Sequence, residues 1–216
     1  KYKLLLCILV ICIIVIIGLL VVKNIGKKTP KNDVKVIDSI VDFSYTLDER
    51  DSNLMKDTYK DLKKVLSSKD IDYEKYSKII AELFIIDLFT LDNKINKYDV
   101  ASLEYVYPDN LDNFKLNVQD TLYKNIEDNT YGKRTEKLPI VSSIEVLDVK
   151  QSTFKLKDED VNSYVVSLKW SYEQDLGYDK EGIVTLVKND KNVYVVEYKA
   201  GAVNAVSYTH LTLPTT

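Results

Sequence analysis

The sequence predicts an α+β domain behind an N-terminal transmembrane helix, with about three helices packed against one antiparallel sheet. Three observations predict this arrangement. The first residues form an uninterrupted apolar run, the middle of the chain repeats apolar residues at helical spacing, and the last third alternates them with a period of two. Helices that precede a run of strands are typical of a domain whose helices cover one face of the sheet.

The first apolar run is long enough to cross a membrane. Residues Leu4 to Val22 contain no charged or strongly polar side chain. As a helix they would extend about 28 Å, close to the roughly 30 Å of a bilayer's hydrocarbon core. A cleaved signal peptide has a shorter apolar region followed by small residues, and Val22, Lys23 and Asn24 do not fit such a cleavage site. The run therefore predicts a single-pass membrane anchor.

The charges around this span leave two orientations open. Basic residues flank it on both sides: Lys1 and Lys3 before it, and Lys23, Lys27, Lys28, Lys31 and Lys35 after it. The positive-inside rule alone would keep the C-terminal domain in the cytoplasm. A short tail before one span and a large domain is nevertheless the usual arrangement of a signal anchor, and large domains cross membranes largely regardless of charge. We therefore expect a cell-membrane protein whose soluble domain is extracytoplasmic.

The chain divides into four segments. Residues 1–23 form the predicted anchor, residues 24–33 a linker, and residues 34–205 one soluble α+β domain. The last segment, residues 206–216, includes the stretch VSYTHLTLPT, which resembles the translated read-through of a transposon adapter used in sequencing libraries. This resemblance implies that the tail is not native and that the sequence is a fragment whose true ends are missing.

Composition excludes several chemistries from the predicted domain. The only histidine, His210, lies in the tail, and both cysteines, Cys7 and Cys12, lie in the apolar run. The domain therefore has neither residue type. This excludes Ser-His-Asp and Cys-His catalysis, zinc sites with His or Cys ligands, and haem or iron–sulfur centres held by those residues. We accordingly predict no catalytic residue set, no metal and no cofactor.

The charge of the domain argues against nucleic acid as a partner. Residues 29–205 carry 25 basic and 33 acidic side chains, a formal charge of −8. A surface that binds a phosphate backbone is normally basic. The expected partners are the membrane, through the one span, and a protein or cell-wall component. No pattern in the sequence indicates an oligomeric state.

The first half of the domain predicts one strand and two helices. Residues 37–47 alternate apolar and polar side chains, as a half-buried strand does. Asp51 or Ser52 can cap a helix that extends to about Ser67, and Asp70 or Asp72 can cap a second helix to about Thr90. The apolar face of the first helix is predicted to be Leu54, Thr58, Leu62, Val65 and Leu66. That of the second is predicted to be Tyr76, Ile79, Ile80, Leu83 and Phe84.

A third helix is predicted after Pro108, with Asp109 or Asn110 at its start. Apolar residues then recur at helical spacing: Leu111, Phe114, Val118, Leu122 and Ile126. Turn-forming residues over 127–137 end this helix.

The period of the apolar pattern then changes to two. Strands are predicted over 144–149 and 164–172. The second has one buried face and one solvent-exposed face, as in an antiparallel sheet. Residues 182–188 and 193–199 predict a hairpin around the turn formers at 189–192.

This order of elements, from Ser52 to Lys199, loosely resembles the NTF2-like cone-shaped fold. That group includes secretion and conjugation subunits with one N-terminal span, so the resemblance implies an envelope scaffold. The many Lys, Asn, Ile and Tyr residues also resemble those of small membrane-anchored proteins of unknown function from AT-rich, Gram-positive-type bacteria. Neither resemblance implies a catalytic residue.

Asp87 is the first candidate binding residue. It follows Leu83 by four positions and Phe84 by three, which places a carboxylate on the apolar face of the second helix. A carboxylate in that place needs partners. It is either a general acid or ligand-binding group at the mouth of a pocket, or a structural acid held by a Tyr hydroxyl, Arg50 or a backbone amide.

Tyr105 and Tyr107 are the other candidate binding residues. They alternate around Val106 just before Pro108, and with Tyr98 they could line a surface for a sugar or a peptide, since tyrosine offers a flat apolar face and a hydroxyl. The alternative is a short strand that packs on the third helix.

Two classes of function remain. The first, which we favour, is a non-catalytic binding or scaffold domain of the bacterial cell envelope, with a secretion- or conjugation-type subunit as its specific form. The alternative is a carboxylate-based hydrolase that acts on envelope glycans, because that chemistry needs neither His nor Cys.

The predicted orientation can be measured with reporter fusions. A reporter enzyme that is active only outside the cytoplasm, fused after Ala205, should be active, because a signal anchor exports the domain on its C-terminal side. A cytoplasm-only reporter at the same position should be silent, and a chain without residues 1–23 should reverse both results. A silent exported reporter on the intact chain would overturn the extracytoplasmic orientation.

Overall fold

The computed structural model describes residues 34–201 and, for residues 210–212, the backbone. The predicted anchor over residues 4–22, the linker and most of the predicted tail lie outside these residues. Among the described residues, no helix has the length and apolar character needed to cross a membrane.

The domain is mixed α+β, with its helices packed on antiparallel strands, which confirms the predicted fold class at that level. The elements of the described part are, in chain order, β1 (Val36–Ile40), β2 (Tyr45–Asp48), α1 (Asn53–Leu66), α2 (Tyr73–Phe89), α3 (Leu111–Asp120), β3 (Val141–Leu156), β4 (Glu159–Tyr172), β5 (Glu181–Asn189), β6 (Asn192–Ala200) and β7 (His210–Thr212). Short 3-10 turns occupy Val41–Phe43, Leu103–Tyr105 and Pro108–Asn110.

The main sheet is an antiparallel meander in which β3, β4, β5, β6 and β7 are neighbours in that order. The predicted strands and the hairpin around residues 189–192 are confirmed, although β3 and β4 are longer than predicted. Val166, Leu168 and Trp170 form the buried stripe of β4, as the period of two indicates. β7 comes from the predicted non-native tail, and its backbone pairs with β6.

Helix α2 forms the centre of the domain. Asp72 caps it, its carboxylate accepting hydrogen bonds from the backbone N–H groups of Glu74 and Lys75. Its predicted apolar face is buried, and so are Ala81, Ile85, Ile86, Leu88 and Phe89 on its other sides. A helix that is apolar nearly all round must be buried, and α2 packs on both α1 and the sheet.

Helix α1 begins where predicted, because Ser52 caps it by accepting a hydrogen bond from the Met55 N–H. Leu62 and Val65 of its predicted apolar face are buried as predicted, but in the first half of the helix the buried face is displaced by one position. The buried residues are Met55, Tyr59, Leu62 and Val65, whereas Leu54 and Thr58 are half-buried. Tyr59 accounts for the displacement: its hydroxyl donates to the carbonyl oxygen of Tyr45, which turns this face toward β2.

The single strand predicted over residues 37–47 is wrong. The chain turns at Val41–Phe43, where Ser44 has a φ of 60°, and β1 and β2 pair with each other as a small separate hairpin. Only the second half of the alternating pattern is buried: Phe43, Tyr45 and Leu47. Val41 is 81% exposed, so apolar alternation here does not indicate one continuous strand.

The third helix is shorter than predicted. It ends at Asp120, so Leu122 and Ile126 lie beyond it even though both pack at the edge of the core. Thr121 leaves the helical conformation, with φ and ψ of −120° and −90°, and the Tyr123 hydroxyl donates to the carbonyl oxygen of Leu88 instead. Burial of Tyr123 against α2 therefore takes precedence over continuing the helix.

Candidate functional site

An acidic cleft of about 310 Å³ lies where the end of β2 and the start of α1 meet the loop that follows α2. We call it the acidic cleft because its lining has five carboxylates and two cations: Asp48, Asp51, Asp87, Asp99 and Glu104, with Arg50 and Lys94. Two of the three predicted site residues, Asp87 and Tyr105, line it.

Asp87 is held by two partners from the loop after its own helix. One carboxylate oxygen accepts a hydrogen bond from the Lys94 ammonium at 2.7 Å, and the other accepts from the Ser102 backbone N–H at 2.6 Å. The side chains of Asp87 and Lys94 are only 17% and 6% exposed, respectively. Since a buried charge is tolerated when it is paired and hydrogen-bonded, this contact ties the loop to α2.

Ser102 adopts the left-handed conformation to reach Asp87, with a φ of 63°. A non-glycine residue in that region costs about 1 kcal/mol or more, so the surrounding bonds must hold it there. Its hydroxyl donates to the Phe84 carbonyl oxygen at 2.9 Å, which adds a second link to α2.

Arg50 and Asp99 form the second ion pair of the cleft. The guanidinium donates to Asp99 at 2.6 Å and to the Asn93 carbonyl oxygen at 3.2 Å, and it lies 3.7 Å from Asp48. Burial is the largest single influence on Asp99 and acts to raise its pKa, but the hydrogen bonds from Arg50 and the Ile95 N–H, together with the charges of Arg50 and Lys94, hold that pKa below its usual range. Both cations of the cleft are thus bound to carboxylates within it.

Asp51 has no cation of its own. One of its oxygens accepts a hydrogen bond from the Asp48 backbone N–H at 2.7 Å, and no ion pair forms within the described residues. Burial raises the pKa of Asp51 to about 6, and the negative charges of Asp48 and Asp87 add to this effect.

Glu104 likewise has no cation of its own among the described residues. Its carboxylate accepts hydrogen bonds from the backbone N–H and the hydroxyl of Thr46, the latter at 2.8 Å. Burial nevertheless raises its pKa to about 7, with a contribution from the charge of Asp87. Asp51 and Glu104 are therefore the two cleft carboxylates that have no cation and whose pKa values burial raises toward neutral pH.

Tyr105 is a further residue of the cleft lining. Its side chain is fully buried, its ring lies 5.6 Å from that of Tyr45, and its hydroxyl has no hydrogen-bond partner in the described part of the chain. Burial, and then the charge of Glu104, raises the pKa of Tyr105 far above its usual value. The phenol therefore remains protonated and able to donate.

Tyr107, the third predicted site residue, lies apart from the cleft. Its ring packs edge-on against Tyr194 at 6.1 Å, and its backbone N–H donates to the Val195 carbonyl oxygen. Tyr98 is 68% exposed. The structure thus does not bring the three tyrosines together on one surface.

Sequence patterns do not identify Asp51, Glu104 or Lys94 as site residues. For Asp51 they indicate only a possible helix cap, and Ser52 has that role. Lys94 and Glu104 belong to a loop without periodicity, so no local signal connects them to Asp87. The described residues contain no group of three or more His, Cys, Asp or Glu side chains arranged to hold a metal ion.

Comparisons with known proteins identify no relative of this chain. A scan of family models, a search of curated sequences and a search of solved structures each find no match. Any function assigned to the chain therefore depends on the cleft and on the sequence.

The Asp87–Lys94 pair can be tested with a double-mutant cycle. Asp87→Asn should lower the free energy of unfolding by about 3–5 kcal/mol, because it leaves the Lys94 ammonium buried without a counter-charge. The double variant Asp87→Asn/Lys94→Met should recover a large part of that loss. Urea unfolding measures both variants.

The control for this cycle is Asp61→Asn. Asp61 pairs with Lys64 on the exposed side of α1, where the side chains are 58% and 76% exposed, so its loss should have little effect. If Asp87→Asn were as mild as Asp61→Asn, the pair would not hold the loop.

The raised pKa of Glu104 predicts a specific pH dependence. Its value rises from 4.5 to about 7 on folding, so the folded protein keeps this proton to higher pH than the unfolded chain. The resulting stability is fully present below pH 4.5 and is lost as pH rises through about 7. Glu104→Gln should therefore reduce the loss of stability between about pH 5 and pH 8, measured by urea unfolding.

The exposed residue Glu145 on β3 provides the matched control, and Glu145→Gln should keep the wild-type slope. Identical slopes for wild type and Glu104→Gln would show that the Glu104 proton is not retained on folding.

Proposed function

We propose that this chain is a membrane-anchored, extracytoplasmic and non-catalytic binding domain of the bacterial cell envelope, and that it recognises a protein or cell-wall partner through the acidic cleft. One observation carries the proposal: Asp51 and Glu104 line the cleft without a cation, while both cations there are bound to other carboxylates. A scaffold subunit of a secretion or conjugation apparatus is the narrower form of this proposal.

The chemistry of the cleft favours an ammonium or guanidinium group on the partner. With all seven charged groups ionised, the lining has a formal charge of −3, from five carboxylates and two cations. A cation 4 Å from one carboxylate gains about 4 kcal/mol where the effective dielectric constant is near 20. Such a cation would also lower the pKa of Asp51 and Glu104, so binding would release protons.

The arrangement of hydrogen bonds supports binding over catalysis. Asp87 and Asp99 are engaged in ion pairs, and both Glu104 oxygens face the Thr46 N–H. A glycosidase needs one carboxyl group free to deliver a proton and a second free to act on the opposite side of the sugar. In the cleft, these carboxyl groups stabilise the protein's own backbone and loop.

A carboxylate-based hydrolase acting on envelope glycans is the second candidate. The observation in its favour is that Asp51 and Glu104 have pKa values of about 6 and about 7 in one cleft, within the range of a general acid at neutral pH.

If the cleft binds a cationic partner, Glu104→Gln and Asp51→Asn should each weaken that binding. The binding probe is an end-blocked tetralysine peptide, titrated calorimetrically into the whole chain in nanodiscs of zwitterionic lipid. Each variant should weaken binding about tenfold, equivalent to about 1.4 kcal/mol. Binding to the wild type should strengthen between about pH 5 and pH 8, because protonated carboxyls do not attract a cation.

Two controls belong to this experiment. Glu145→Gln, on exposed β3, should bind as the wild type does, and a fully acetylated peptide should not bind. Equal binding by all variants would overturn the cleft as the site. Release of reducing sugars from purified cell-wall glycan, lost in Glu104→Gln, would instead establish the hydrolase.

A further inference from the structure

A second cavity, of about 380 Å³, lies between the C-terminal end of α2, the end of α3 and strand β6. It shares no lining residue with the acidic cleft. Leu88 and Phe89 from α2, with Val118 and Leu122 from α3 and the turn after it, form an apolar wall. A cavity of this volume is within the usual range for small-molecule sites, which begins at about 300 Å³.

Two residues of the cavity lining, Asp179 and Tyr198, have a polar side-chain group without a protein partner in the described part of the chain. The Tyr198 side chain is only 4% exposed, and its hydroxyl makes no hydrogen bond within the described residues. A buried hydroxyl without a partner costs about 1–3 kcal/mol, so a ligand that bonds to it recovers that free energy.

Asp179 is the second of these groups and the only charged residue in the lining. Its carboxylate forms neither a hydrogen bond nor an ion pair with the described part of the protein, although its backbone carbonyl accepts from the Tyr172 hydroxyl at 2.6 Å. That bond fixes the position of Asp179 at the cavity. Partial desolvation by the surrounding protein raises the pKa of Asp179, although the residue as a whole is solvent-exposed.

We propose that this cavity binds a small organic ammonium ion with an apolar body about the size of one ring. The ammonium N–H groups donate to the Asp179 carboxylate and to the Tyr198 hydroxyl oxygen. The apolar body packs against Leu88, Phe89 and Val118. This site is independent of the acidic cleft and of the function proposed for it.

Charge and aromatic content select a cation over a neutral or anionic ligand. An anion would be repelled by Asp179, since no basic side chain lines the cavity. A neutral molecule would gain no charge attraction from that carboxylate, which is solvent-exposed and has no ion-pair partner among the described residues. The rings of Phe89, Tyr178 and Tyr198 add electron-rich faces, which attract cations.

Trp170 provides an intrinsic signal for binding. It is the only tryptophan in the sequence, and its ring lies 5.1 Å from that of Phe89, a residue of the cavity wall. A ligand that packs on Phe89 should therefore change the tryptophan fluorescence.

The test titrates 2-phenylethylammonium and its neutral counterpart 2-phenylethanol into the whole chain in zwitterionic nanodiscs at about pH 7.5, well above the ordinary pKa of an aspartate, about 3.9. We expect saturable binding of the ammonium ion, at least tenfold tighter than that of the alcohol. Asp179→Asn should remove this preference by weakening ammonium binding about tenfold while leaving alcohol binding unchanged. Tyr198→Phe should weaken ammonium binding severalfold without loss of thermal stability, because it removes an unpartnered hydroxyl.

Asp175→Asn is the matched control, since Asp175 lies in the same loop and is also exposed, but it is paired with Lys180 and does not line the cavity. It should bind the ammonium ion as the wild type does. Equal affinity for the two probes, or an effect of Asp175→Asn as large as that of Asp179→Asn, would overturn the proposal. Thermal unfolding of each variant separates a lost ligand contact from a lost fold.

Discussion

The burial of a carboxylate on a helix that is apolar nearly all round is the constraint on which the cleft depends. Asp87 lies in the last turn of α2, where Leu83, Phe84 and Leu88 are buried around it. Its side chain is only 17% exposed, and the following loop returns to α2 and places the Lys94 ammonium and the Ser102 N–H against it. This contact fixes the loop to α2 at Asp87.

Other contacts hold the rest of this loop, beyond its contact with Asp87, in place. Arg134 donates to the carbonyl oxygens of Lys94 and Asp92, at 2.7 and 2.5 Å, and its side chain is only 3% exposed. Arg50 donates a hydrogen bond to Asp99 in the same loop. Glu104 and Tyr105 are thereby positioned before any ligand arrives. A preorganised site loses little conformational entropy on binding, which favours recognition by a small number of charged contacts.

Periodicity predicts the parts of the fold that are packed regularly. Helix α2, the hairpin of β5 and β6 and the core position of Trp170 can be read from spacing alone, because each is decided by which face is buried. The same reasoning identifies Asp87 as a candidate. Its partner Lys94 cannot be identified in this way, since the pair joins a helix to an irregular loop and depends on tertiary structure. The break at Ser44 has no periodic signal either.

Asp51 and Glu104 differ from Asp87 in their partners, and this difference separates carboxylates available to a ligand from a structural one. A carboxylate that serves only stability is best held as Asp87 is, with a cation and a backbone N–H. Asp51 and Glu104 have the hydrogen bonds without the cation, and burial raises the pKa of both. Near neutral pH this arrangement lowers the stability of the unbound domain, and a cationic group supplied by a partner would restore it. Folding stability and binding at the cleft are therefore thermodynamically linked, because a ligand that binds the folded state alone also stabilises it.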